Sequence, residues 1–215
     1  MRKLSLLLVV CALVLCAAPF ARAQAPNEPA KLNLGADVAL KVDFFHFMDS
    51  DIGDLNAENG VLVSLEFYKE VFFPNFFLGV EAGWGQSWGS IHVSDFVNEQ
   101  EVLSKLDTTI TYVPIEFNAK YAIPLAPNFA LGLGAGISMN YIGGEFEAFG
   151  ESFSDDDWVF GGQFFAQLDY KCHNWFFGAH VKYKITEDVK FVKDLTGDEV
   201  SADNIAVGLN LGFLF

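Results

Sequence analysis

The chain has 215 residues, 13 of them basic and 28 acidic, for a formal charge of −15. So acidic a sequence lacks the basic footprint that nucleic-acid phosphates require. Yet 52% of its residues are hydrophobic, 23 of them phenylalanine, so the apolar side chains must be sorted onto one face.

The first residues carry an address. Arg2 and Lys3 precede an almost wholly apolar stretch from Leu4 to Ala18, and Ala21-Arg22-Ala23 supplies the small-x-small pattern of a signal peptidase site. This order of segments is a secretory signal, with cleavage expected before Gln24. The apolar stretch is short for a membrane span of about 20 residues. Val10 and Leu15, preceding Cys11 and Cys16, are not the small residues of a lipobox. Loss of residues 1–23 leaves ten lysines, no arginine and 28 acidic residues, a charge of −18. Cys172 is then the sole cysteine, which excludes an internal disulfide. Residues 24–31 are expected to be a short periplasmic segment, with one domain from 32 to 215.

From Leu32 onward the apolar residues recur with the period of two that defines a strand. In the first run Leu32, Leu34, Ala36, Val38, Leu40, Val42 and Phe44 alternate with Asp37, Lys41 and Asp43, among others. Val61 to Phe67 and Phe76 to Trp84 repeat the pattern, with Glu66 and Glu81 on the polar side. Val113 to Tyr121 alternates with Pro114, Glu116, Asn118 and Lys120, and Phe129 to Tyr141 alternates with Gly132, Gly134 and Gly136. Trp158 to Tyr170, Trp175 to Ile185 and Ile205 to Phe215 complete eight runs, and no segment of comparable length has helical periodicity.

The connections alternate too. Short links fall at residues 72–75, 123–128 and 172–174; long polar links fall at about 46–59, 86–107, 143–157 and 187–203. Eight strands, short turns at one end and long loops at the other define an all-β, antiparallel, up-and-down transmembrane barrel. A soluble cup-shaped barrel of eight strands is the rival reading. So narrow a lumen has room only for side chains to fill, and the apolar face carries too many rings for it. Aromatics also gather at both strand ends, as interfacial girdles do. Phe76, Tyr121, Phe129, Tyr170, Trp175 and Phe215 lie at the short-turn end; Phe44, Trp84, Tyr141, Trp158 and Tyr183 lie at the other.

These runs resemble the small outer-membrane β-barrel families related to the OmpA transmembrane domain, OmpX and OmpW. The resemblance extends from Leu32 to Phe215 and is most specific at the end, where Val207, Leu209, Leu211, Phe213 and Phe215 are similar to the signal read by barrel-assembly machinery. Tyr112-Val113-Pro114-Ile115-Glu116-Phe117 leading to Tyr121 is similar to a strand common in these families. The absence of mature arginine departs from their usual polar interior. The resemblance implies an outer-membrane location, periplasmic termini and a monomer. Implied partners are outer-membrane lipid, lipopolysaccharide and, during biogenesis, the assembly machinery and periplasmic chaperones. Fold alone does not supply function.

Charges enclosed by a narrow barrel must be paired or wetted. Asp37, Lys41, Glu66, Glu81, Glu116, Lys120, His180 and Lys182 are the expected lumen network, with Asp37, the three glutamates and His180 near one height. Paired, they make a side-chain-filled plug and a structural or surface-interaction protein that is not an enzyme. The alternative is a narrow conduit for small solutes, for which the glycines at 79, 83, 85, 132, 134 and 136 would leave a gap.

The long links hold twenty acidic residues. Asp155, Asp156 and Asp157 are candidates for weak surface binding of calcium or magnesium, since clustered carboxylates suit hard cations; no other cofactor is expected. The extracellular partner is left open. A lipid-modifying enzyme is a minor alternative, resting on His46 near Asp49 and Ser50 and on His92 near Ser94 and Asp95.

Overall fold

A computed structural model describes residues 35–97, 100–148, 151–189 and 200–215. The expected signal peptide, the segment 24–31 and residues 32–34 lie outside them. In chain order the elements are β1 (Ala36–Phe47), α1 (Ser50–Asp54), β2 (Asn59–Glu70), β3 (Phe76–Val97), β4 (Gln100–Ala126), β5 (Phe129–Ala148), β6 (Glu151–Cys172), β7 (Trp175–Thr186), β8 (Asp188–Val189), β9 (Val200–Ser201) and β10 (Asn204–Leu214).

Eight of the strands close into an antiparallel barrel in the order β1-β10-β7-β6-β5-β4-β3-β2. Val42 of β1 lies opposite Val63 on one side and Leu209 on the other. Closure gives each spanning strand two partners, the only way a sheet can satisfy its backbone in lipid. The period of two is kept almost without fault. In β1 the residues from Asp37 to Phe47 alternate strictly between buried and exposed. The exposed row is apolar: Val42 is 48% exposed, Phe44 51% and Leu209 69%. A continuous apolar outer wall is a lipid-facing surface, which removes the soluble-cup reading. The expected girdles are present on that wall. Phe129 meets Tyr170 at 4.9 Å, and Tyr141 meets Trp158 at 5.5 Å.

Two of the four long links are not loops. β3 and β4 continue as a hairpin to Val97 and Gln100, and β5 and β6 continue to Ala148 and Glu151. Beyond the apolar wall the strands no longer separate lipid from lumen, so the apolar alternation ends while the backbone ladder goes on. The other two links fold over the lumen. The first carries α1, and the fourth brings β8 and β9 together as a two-stranded sheet. Asp49 Oδ2 joins them, accepting hydrogen bonds from the Ser201 amide at 2.9 Å and its hydroxyl at 3.3 Å.

Candidate functional site in the barrel lumen

The inward side chains fall into three zones. At the short-turn end Tyr68, Phe77, Phe165 and Ala122 pack as an apolar layer with Leu214 against it. Lys120 crosses this layer, its Nζ 3.8 Å from the centre of the Tyr68 ring and 4.0 Å from Asp37 Oδ2. A cavity of about 20 Å³ lies beside it, lined by Asp37, Lys120, Asp169 and Lys171.

The middle zone is a chain of buried charge pairs. Glu66, Glu81 and Glu116 stand side by side on adjacent strands, because Glu66 is in register with Glu81 and Glu81 with Glu116. Three carboxylates so placed repel one another, and three lysines relieve them, Lys41 from neighbouring β1 and Lys182 and Lys184 from β7 across the lumen. Lys41 lies 3.4 Å from Glu66 and 2.9 Å from Glu81. Lys182 reaches Glu81 at 2.9 Å and Glu116 at 2.7 Å, and Lys184 reaches Glu116 at 2.8 Å. Neutral partners complete the set. Ser64 donates to Glu81 at 2.9 Å, Asn118 donates to Glu116 at 3.1 Å, and Lys184 donates to the Tyr112 hydroxyl at 2.6 Å. Glu81 and Glu116 each accept several hydrogen bonds, the arrangement that makes buried charge tolerable, whereas Glu66 is met by Lys41 at 3.4 Å and neither of its buried oxygens has a hydrogen-bond partner among the described residues.

At the long-hairpin end the lumen turns apolar. Phe45, Phe47, Leu62, Ile110, Tyr112, Ile142, Val159 and Ala206 line the wall. Ile52, Ala57, Val189 and Ala202 close over them from the two folded links. Phe47 donates its amide to the Glu58 carbonyl and Met48 to that of Asp203, both at 2.8 Å. The lid is therefore bonded as well as packed.

Two expectations about the lumen are corrected. Asp37 and His180 do not share the height of the three glutamates: Asp37 belongs with Lys120, and His180 Nε2 lies 2.6 Å from Asp43 Oδ1. Counting residues from the turns ignores the stagger between strands that barrel closure imposes. The inward glycines leave no gap, because neighbouring side chains lie across them. A Cβ on Gly79 would run into the Tyr68 ring, one on Gly134 into the Phe165 ring, and one on Gly136 into Asn118.

Outside the lumen, the structure does not gather Asp155, Asp156 and Asp157. They are successive residues of β6, so Asp156 faces away from its two neighbours. Among the described residues no group of three His, Cys, Asp or Glu side chains could hold a metal ion. His46 meets Asn59 Oδ1 at 3.0 Å, and Asp49 accepts from the Ser201 amide at 2.9 Å. His92, Ser94 and Asp95 lie on β3, with side chains outside the described residues. The outward row of the terminal strand stands as expected: Val207, Leu209 and Leu211 are exposed, Phe213 packs on Trp175 at 5.2 Å, and Phe215 is 63% exposed.

Eight closed antiparallel strands, an apolar outer wall and a polar, salt-bridged interior define an outer-membrane barrel. The chain belongs to the outer membrane protein beta-barrel domain family, whose model matches residues 7–213. Its fold is similar to that of Neisserial surface protein A, with a TM-score of 0.58 at 12% identity over 84% of this chain and 97% of that one. The attachment invasion locus protein Ail of Yersinia pestis gives 0.47 at 14% identity, covering 83% and 97%. The outer membrane protease OmpT of Escherichia coli gives 0.48 at 10%, covering 90% and 99%. No curated protein sequence shows a significant match.

Proposed function

We propose that this chain is a non-enzymatic barrel of the outer membrane, its lumen closed by its own side chains and its hairpins presented to the cell exterior. The carrying observation is the run of charge pairs from Glu66 through Lys41, Glu81, Lys182 and Glu116 to Lys184, which spans the interior from wall to wall. An open polar conduit would need those charges wetted rather than consumed by one another. The apolar plug above them, Phe45 and Phe47 with α1 and β8–β9 closed over it, adds a second barrier that water does not wet. What remains for the outside is the pair of long hairpins and the acidic links, surfaces suited to contact rather than transport. In this reading the short turns and both chain ends face the periplasm, and lipid and lipopolysaccharide surround the wall.

Two measurements test the reading. Vesicles bearing the refolded protein should not swell in small sugars; swelling would favour the narrow conduit. Cys172, exposed at the short β6–β7 turn, should react with a high-molecular-weight maleimide only after the outer membrane is permeabilised. Labelling on intact cells would invert the orientation.

A further inference from the structure

At the short-turn end of the lumen, two buried atoms of opposite charge have no hydrogen-bond partner among the described residues. They are Asp37 Oδ1 on β1 and Lys171 Nζ near the end of β6. Asp37 is only 4% exposed, and Lys120 approaches its other oxygen at 4.0 Å, too far for a hydrogen bond. β10 and β7 stand between β1 and β6 in the barrel, and their Leu214 and Phe176 present apolar surface to the interval. Polar atoms so placed forfeit the hydrogen bonds they made to water unless something replaces them.

Both residues line the cavity of about 20 Å³ beside the Tyr68 layer. One water needs about 10–15 Å³, so the cavity takes one. Asp169, the second carboxylate there, is already supplied with donors. Its Oδ1 accepts from Gln167 at 2.9 Å and from Asn210 at 3.0 Å, and its Oδ2 accepts from Gln167 at 3.0 Å. Charge decides against an ion. The cavity is lined by two carboxylates, Asp37 and Asp169, and two ammonium groups, Lys120 and Lys171. A metal ion would answer Asp37 but not Lys171, and a halide would do the reverse. Water answers both, because it donates and accepts at once.

We propose that this cavity is a binding site for one ordered water, which donates to Asp37 Oδ1 and accepts from Lys171 Nζ. The water joins β1 to β6, strands that are not neighbours in the barrel. It makes the short-turn end of the lumen wet, while the far end, where Phe45, Phe47 and Ala206 pack beneath the lid, is dry. The dryness of the far end rests on the closed lumen proposed above; the water site does not.

The test is water–methyl cross-relaxation by NMR on the folded full chain in lipid nanodiscs, with the alanine methyl groups isotopically labelled. The methyls of Ala122 and Ala130, which line the cavity, should show cross-peaks of the sign given by water that tumbles with the protein. The methyl of Ala206, in the apolar zone beneath the lid, should show none. Ala130→Val fills the cavity, so the Ala122 cross-peak should be lost. Should that variant fail to fold, Asp37→Leu combined with Lys171→Met removes both unpartnered groups, and both cavity cross-peaks should vanish. Dry methyls at Ala122 and Ala130 in the unaltered chain would overturn the water site and leave the closed lumen standing. Cross-peaks that survive the double substitution would also overturn it, since water would then enter without being held. Cross-peaks at Ala206 as well as at the cavity would overturn it together with the closed lumen.

Discussion

Lys182 on β7 donates to Glu116 on β4 at 2.7 Å, a contact between residues 66 apart in sequence on strands that are not neighbours in the barrel. The bond therefore crosses the lumen instead of following its wall. Lys182 also holds Glu81 at 2.9 Å, so one ammonium closes the path between two carboxylates of the opposite side.

Lys182→Met should be the most damaging lysine substitution. It leaves Glu116 to Lys184 and Glu81 to Lys41, and breaking a buried pair costs about 3–5 kcal/mol. Lys120→Met should cost distinctly less, since its Asp37 contact is 4.0 Å long and its stem already lies among rings. Urea unfolding midpoints in lipid vesicles measure both. Equal shifts would mean that water, not the partner lysine, stabilises the glutamates.

The two faces of β5 and β10 should respond in opposite ways to opposite changes. Leu209→Arg, at a site 69% exposed to lipid, should cost roughly 2–4 kcal/mol near mid-bilayer. Gly134→Ser points inward but into the Phe165 ring, and overpacking of this kind costs typically about 1–3 kcal/mol. Adding Phe165→Ala to Gly134→Ser should recover part of the loss. If the double variant were worse than the sum of the singles, the ring would not be the obstacle.

The plug makes its own forecast. Phe47 is 1% exposed, with its ring 5.1 Å from that of Phe45 and 5.9 Å from that of Tyr112. Phe47→Ala should cost about 3–5 kcal/mol and loosen α1 from the lumen. Limited proteolysis should then cut within residues 48–58, a segment that should resist cleavage in the unaltered chain. Unchanged resistance would show that the Asp49–Ser201 tie, not the plug, holds the lid.

Much of this was legible in the sequence, because a lipid-facing wall imposes a rule on every second residue. Val38 to Phe44 and Ile205 to Leu211 advertise the rule, and they lie on the wall as expected. The long hairpins were hidden, because past the wall the strands keep only their backbone pairing, which leaves no period in the side chains. The plug was hidden for a related reason. Phe45, Leu62, Ile110 and Val159 occupy inward positions where polar residues were sought, and their partners come from links 46–59 and 187–203. Glu66, Glu81 and Glu116 share one row, but which lysines meet them depends on the stagger between strands. Lys184, outside the expected network, binds Glu116, Tyr112 and Asn140.

Phe215 should matter for assembly. Its backbone exchanges two hydrogen bonds with Ala36, each 2.9 Å, which helps seal β10 to β1, and its ring lies 6.3 Å from that of Phe67. Phe215→Asp should lower the amount of heat-modifiable barrel in the membrane, because the outward apolar row that the assembly machinery would read loses its last member. Normal amounts of folded protein would dismiss the role assigned to this row.

The central claim is that paired side chains close the lumen, and single-channel recording in planar bilayers tests it most directly. The unaltered barrel should give no steady conductance. Lys182→Met should lower the unfolding midpoint without producing an open, ion-selective pore of fixed size. A steady open level in the unaltered protein, with ion selectivity shifted by Lys182→Met and stability unchanged, would contradict the account.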